Sequence, residues 1–199
     1  MIVKRGCPMN VNIVLFDDFE TMDALGPAQI FGEAPEHFYL NYLSVNGGIV
    51  NSSQGVKVWT EILIPQEVED ILVIPGGRGA KKLLCLEEKT LKIIKAAAQE
   101  ADACMMVGNG SSLLAQTGLL YRRRIADYPG DENWKRMFTA EIDREQNVRW
   151  ISDGKYYSSS STMAGIDMSL GVISDLVDLE VAIRIADAIG YEWDQEMNS

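Results

Sequence analysis

Histidine is almost absent. The 199-residue chain has one, His37 in "APEHFYL", just ahead of a strand-like run. A site built on an imidazole base has no other candidate, and this one is expected at the surface. Cysteine is scarce as well. Cys7, Cys85 and Cys104 are an odd number with no CxxC pair, which argues against a disulfide framework or a zinc site and fits a reducing cytosol. No cofactor and no metal are expected. No apolar run approaches the roughly 18 residues a membrane helix needs. The opening "MIVKRGCPMN" has two basic residues but no apolar segment behind them that would make a secretory signal. The expected setting is cytoplasmic, away from membranes, so "NSS" (51–53) and "NGS" (109–111) carry no weight as glycosylation sites. Positive charge is also short: 18 basic against 29 acidic residues, a net charge of −11. A phosphate backbone would be repelled, which excludes nucleic acid as a partner. The one basic cluster, "YRRRIAD" (121–127), reads as a solvated strand edge rather than a phosphate seat.

Apolar residues are plentiful at 47%, enough for a globular core. Residues 1–9 read as a lead-in, and 10–199 as a single domain. "VNIVLF" (11–16), "DILVIP" (70–75) and "ACMMV" (103–107) are continuous apolar runs, as in strands buried on both faces. "FYLNYLSV" (38–45) reads as a strand, and "VKVWT" (56–60) alternates like an edge or hairpin strand. "RWIS" and "KYYSSS" flank Asp153-Gly154, a hairpin signal. Helical spacing runs through 87–101, through 110–118 up to Gly118, and through 162–177 and 179–191. The serine run before residue 162 supplies N-caps. "FETMDALGPAQIFGE" (19–33) is helix-like at first, and Gly26-Pro27 should interrupt or restart it.

Buried strands alternating with helices predict an α/β fold with a mostly parallel sheet covered on both faces. Sites in such sheets form at the C-terminal strand ends. Three of these ends carry chemistry: the segment after Phe16, "PGGRG" (75–79) and "GNGSS" (108–112).

Four segments then resemble one family in order. "VGNGSSLLAQTGLL" (107–120) resembles the strand–nucleophile–helix segment of the ThiJ/PfpI superfamily. "MDALGPAQIFG" (22–32), "VIPGGRG" (73–79) and "DGKYYSSSSTMAGIDMSLGVI" (153–173) resemble three further segments of its isonitrile-hydratase-like branch. The resemblance implies a flavodoxin-like three-layer α/β/α sandwich, usually a homodimer. It also implies a cysteine on a strained strand-to-helix turn beside a carboxylic acid from the first helical segment. By position the cysteine site is Gly108 and the acid is Asp23. Oxyanion donors would come from backbone N–H groups near Gly77 and Asn109. The histidine of some members falls near Tyr128.

This chain departs from the pattern at the nucleophile. Gly108 has no side chain, and a tyrosine at 128 does not replace a histidine base, since a free phenol has a pKa of about 10. Cys104 lies on the preceding strand and reads as a small buried hydrophobe. Ser111 and Ser112 have no histidine to activate them. Glycine takes a positive-φ turn freely. What remains is a candidate pocket of Asp23, Gly76, Gly77, Gly108, Asn109, Gly110, Ser111 and Tyr128, with N–H groups that could seat an anion or a polarised oxygen. Asp23 is read either as a proton-handling carboxylate or as a cap for the Gly26-Pro27 turn. Trp134 is read as a packed surface-helix residue or a pocket liner. Three functions follow. One is a small-molecule pocket without covalent catalysis, another a hydrolase or hydratase in which Asp23 activates water, and the third a structural or regulatory dimer with a vestigial pocket.

Overall fold

The computed structural model describes residues 7–86, 88–130, 132–136 and 141–193. Residues 1–6 of the expected lead-in lie outside that set, and the first strand starts at Met9, inside the lead-in as read.

The strands are β1 (Met9–Val14), β2 (Phe38–Ser44), β3 (Gly48–Asn51), β4 (Lys57–Ile62), β5 (Ile71–Ile74), β6 (Ala103–Val107), β7 (Arg124–Ala126), β8 (Asp143–Glu145), β9 (Trp150–Asp153) and β10 (Tyr156–Ser159). Eight form one sheet in the order β3-β4-β2-β1-β5-β6-β10-β9. The neighbours from β4 to β10 run parallel, while β3 and β9 close the two edges antiparallel. Every residue of β5 and β6 is buried, because "ILVI" and "ACMMV" present apolar side chains to both faces. The edge hairpin turns through Gly154 at φ +63°, as the Asp-Gly pair predicts.

The helices fall into two groups. α6 (Thr162–Leu176) packs against both α1 (Thr21–Gly32) and α7 (Leu179–Ala188), while α2 (Arg78–Leu86), α3 (Glu88–Glu100) and α4 (Ser111–Thr117) pack on one another. The result is the three-layer α/β/α sandwich with a mostly parallel sheet. Ser161 caps α6 by accepting from Ala164 N–H, and α4 ends on Gly118 at φ +80°.

Sequence and structure differ at several points. α1 runs unbroken through Gly26 and Pro27. Proline inside a helix costs about 3 kcal/mol, and burial of Ala24, Ala28, Ile30 and Phe31 on the same helix offsets it. Helix α2 begins inside "PGGRG", and β7 and β8 form a separate two-stranded sheet. The arginines of 121–127 sit at that small sheet, each paired with a carboxylate: Arg122 with Glu141 at 2.8 Å, Arg123 with Asp153 at 2.9 Å and Arg124 with Glu145 at 2.6 Å. The side chain of Trp134, in α5 (Glu132–Lys135), lies outside the described residues.

The strand order reverses at β1. From there the chain moves to β2 and β4 on one side, then returns to β5 on the other. The crevice beyond the ends of β1, β5 and β6 is where such a sheet builds a site.

Candidate functional site

Asp23 enters this crevice from the first turn of α1. Its side chain does not cap its own helix. Instead Gly76 N–H, just past the end of β5, donates to Asp23 Oδ2 at 3.0 Å. The capping reading therefore fails. The start of α1 is tied down by another segment: Gln54 Oε1 accepts from Thr21 N–H at 3.0 Å, and Gln54 Nε2 donates to Glu20 at 2.7 Å. Asp23 is 3% exposed, and among the described residues its buried Oδ1 has no hydrogen bond of good geometry, although the Thr162 hydroxyl lies close enough to act on the carboxyl. Burial pushes its carboxyl up to about 6, against the Thr162 hydroxyl and the Gly76 N–H, which favour the charged form.

Gly108 is the first residue after β6 and opens a 3₁₀ turn, Gly108–Gly110, that leads into α4. Its φ is +52°, a left-handed conformation that glycine takes without the Cβ penalty. A Cβ built there would lie 3.5 Å from Asp23 Oδ2, and apart from its chain neighbours no other atom comes within 4 Å. The strand-to-helix junction is thus aimed at the buried carboxyl, and the space for a side chain is open.

The neighbouring glycines serve packing. A Cβ on Gly76 would stand 2.3 Å from Asn109 Oδ1 and 2.8 Å from Asp23 Oδ2, and one on Gly110 would stand 2.5 Å from the Ile74 carbonyl. Gly77, at φ +130°, is crossed by the loop after β1, where Phe19 bridges to both Ser52 and Gly77.

A cavity of about 450 Å³ lies over this junction. Five of the eight sequence-predicted residues line it: Asp23, Gly77, Gly108, Asn109 and Tyr128. Gly76, Gly110 and Ser111 do not. Gly76 sits behind Asp23, and Ser111 is buried with its N–H and hydroxyl both turned onto Gly108 O. The expected donor set also changes. Gly77 N–H donates to Asn109 Oδ1 at 2.7 Å, and Gly76 N–H is engaged by Asp23. Neither is left over for a ligand, because the Asn109 side chain competes for the peptide it faces. Tyr128 is 4% exposed, its hydroxyl 2.9 Å from Ser112 Oγ.

Sequence reasoning missed Glu20, Arg78, Lys81 and the Ser160–Thr162 segment as lining residues. The serine run was legible only as a source of caps. Arg78 lay in view inside "PGGRG", but nothing in sequence said which way the new helix would turn it. Cys104 is buried, donates to Ala98 O at 3.4 Å, and is pushed up to about 12 by burial, so it behaves as a small hydrophobe. His37 is half-buried beside Glu36 and Phe38 and is not among the cavity's lining residues. Among the described residues no group of three His, Cys, Asp or Glu side chains could hold a metal ion, and no helix is long and apolar enough to cross a membrane.

Known proteins resemble this arrangement. The isonitrile hydratase of Pseudomonas putida is 26% identical over 175 residues, covering 87% of this chain and 75% of that protein. A deglycase of Pyrococcus abyssi is 28% identical over 155 residues, covering 76% of this chain and 89% of that one. The crystal structure of a ThiJ/PfpI family protein from Pseudomonas syringae superposes with a TM-score of 0.81 at 19% identity, covering 96% of this chain and 78% of that one. The DJ-1/PfpI family model matches residues 9–175, from the first residue of β1 nearly to the end of α6, and the chain belongs to that family.

Proposed function

We propose that this chain binds a small, carbonyl-bearing or anionic molecule in the Asp23 cavity without covalent catalysis, residue 108 being the family's nucleophile position with no side chain. The observation that carries the reading is the pairing of Gly108 with Asp23. An added Cβ would meet only Asp23 Oδ2, at 3.5 Å, so the space a thiol would need is part of the cavity. The cavity is also not closed by the residue that could have filled it, since Tyr128 lines its wall and is held by Ser112. That favours a working pocket over a vestigial one. In this reading the chain is a cytosolic homodimer, which the family resemblance and the three unpaired cysteines support.

A second reading has one observation in its favour. With its carboxyl pushed up to about 6, Asp23 is poised as a general acid or base near neutral pH, and it could activate a water on an isonitrile or an amide. Against it, the Gly77 N–H that would stabilise an oxyanion is already bonded to Asn109. The test is turnover. Purified protein incubated with isonitriles, simple amides and glycated amino acids should leave them unchanged while still binding members of the set. Turnover abolished by Asp23→Asn would replace the first reading with the second.

A further inference from the structure

The charges lining the cavity are segregated by element. Glu20 and Asp23 come from the start of α1, and Arg78 and Lys81 come from the start of α2. Glu20 is engaged by Gln54. Arg78 donates from Nη2 to the Ser53 carbonyl at 3.2 Å, and among the described residues no carboxylate forms an ion pair with it. This sets it apart from Arg122, Arg123, Arg124 and Arg149, each of which holds a carboxylate. In a chain of net charge −11, Arg78 is an exposed arginine at the cavity wall that no carboxylate among the described residues neutralises. A guanidinium fork matches a pair of anionic oxygens. On the α1 side stands the complementary feature. Asp23 lines the cavity, and its Oδ2, which accepts from Gly76 N–H at 3.0 Å and faces the open space at residue 108, keeps a second lone pair for a donor. A ligand N–H or O–H would meet it.

Resting on the ligand-pocket reading above, we propose that the cavity selects a small molecule with an anionic head held by Arg78 and a hydrogen-bond donor given to Asp23. Carboxylates and phosphate monoesters share that head chemistry. Lys81 adds positive charge on the same wall.

The test is calorimetric titration at pH 7.5 with four probes: N-acetylglycine, glycerol 2-phosphate, the neutral N-acetylglycinamide and propionate, which is anionic but has no donor. One of the first two should bind about tenfold tighter than both the amide and propionate, the scale of one charge-assisted hydrogen bond. Which of the two does so distinguishes a carboxylate ligand from a phosphate. Arg78→Gln keeps a donor for Ser53 O and should erase the advantage over the amide. An amide that binds as tightly as the anions overturns this proposal and leaves the pocket reading standing. So does a charge preference that survives Arg78→Gln, or propionate binding as tightly as the better of the first two probes. Absence of binding by all four overturns both.

Discussion

Asn109 grips the peptide of Gly77 from both sides: its Oδ1 accepts the Gly77 N–H at 2.7 Å, and its Nδ2 donates to the Gly77 carbonyl at 3.2 Å. This clasp joins the loop after β5 to the turn after β6 and sets the floor of the cavity. Removing it should open the floor. Asn109→Ala leaves the Gly77 N–H without its partner and is expected to cost about 1–2 kcal/mol, read from urea unfolding. Asn109→Asp keeps the acceptor, loses the donor and sets a charge against the Gly77 carbonyl, so it should recover little of that loss.

Gly76 is held to glycine by space, not by turn geometry. Its added Cβ would fall within 3.0 Å of the Asn109 amide, the Asp23 carboxyl and the Val107 carbonyl. Gly76→Ala should therefore destabilise the protein by about 2–3 kcal/mol and abolish ligand binding. Gly32→Ala, at a site without a left-handed φ where the added Cβ meets only Leu40 Cδ1 at an ordinary 3.6 Å, should leave binding unchanged and serves as the control.

The carboxyl of Asp23 makes stability depend on pH. Its pKa is raised from 3.8 to about 6 in the folded protein. The folded state thus holds a proton there that the unfolded chain releases, and the stability this gives is present in full below pH 3.8 and lost as pH rises through 6. Asp23→Asn cannot titrate. The difference in unfolding free energy between wild type and this variant should shift by roughly 2 kcal/mol in the variant's favour between pH 4 and pH 7.5. A flat difference across that window means that Asp23 is solvated or ion-paired in solution.

Restoring a thiol tests the identity of residue 108. Gly108→Cys puts Cβ 3.5 Å from Asp23 Oδ2 at φ +52°, a conformation that costs a side chain about 1 kcal/mol. The Asp23 carboxyl, which burial keeps protonated to higher pH, can donate to a thiolate beside it. Below the carboxyl's pKa of about 6, where Asp23 carries that proton, the new cysteine should be alkylated by iodoacetamide at pH 5.5 faster than the exposed Cys7 and Cys85, as peptide mapping will report. An inert thiol at 108 removes the link between this glycine and the family's nucleophile.

The sequence made the sheet legible because β5 and β6 are buried on both faces and nothing but apolar residues fills them. The family resemblance paired Asp23 with Gly108 across 85 positions (108 − 23), and in the structure a Cβ on residue 108 would lie 3.5 Å from Asp23 Oδ2. Sequence reasoning misjudged Pro27, where buried packing along α1 outweighed a local helix breaker. It could not show which N–H groups at the strand ends are already taken, because this depends on where the Asn109 and Asp23 side chains reach across the sheet. For the same reason Gly76 and Gly110 looked like ligand-facing glycines, whereas Gly76 is crowded by the Asn109 and Asp23 side chains and Gly110 by the backbone at Ile74 and Pro75. Arg78 and Lys81 reach the cavity because α2 starts immediately after Gly77, a boundary that "PGGRG" does not mark.

The most direct test is a crystal structure of the unmodified protein soaked in turn with N-acetylglycine and N-acetylglycinamide. An ordered molecule in the cavity, hydrogen-bonded to Asp23 and unattached to residue 108, is the predicted result. A cavity filled by the protein's own side chains, or a ligand covalently joined to the chain, would contradict it.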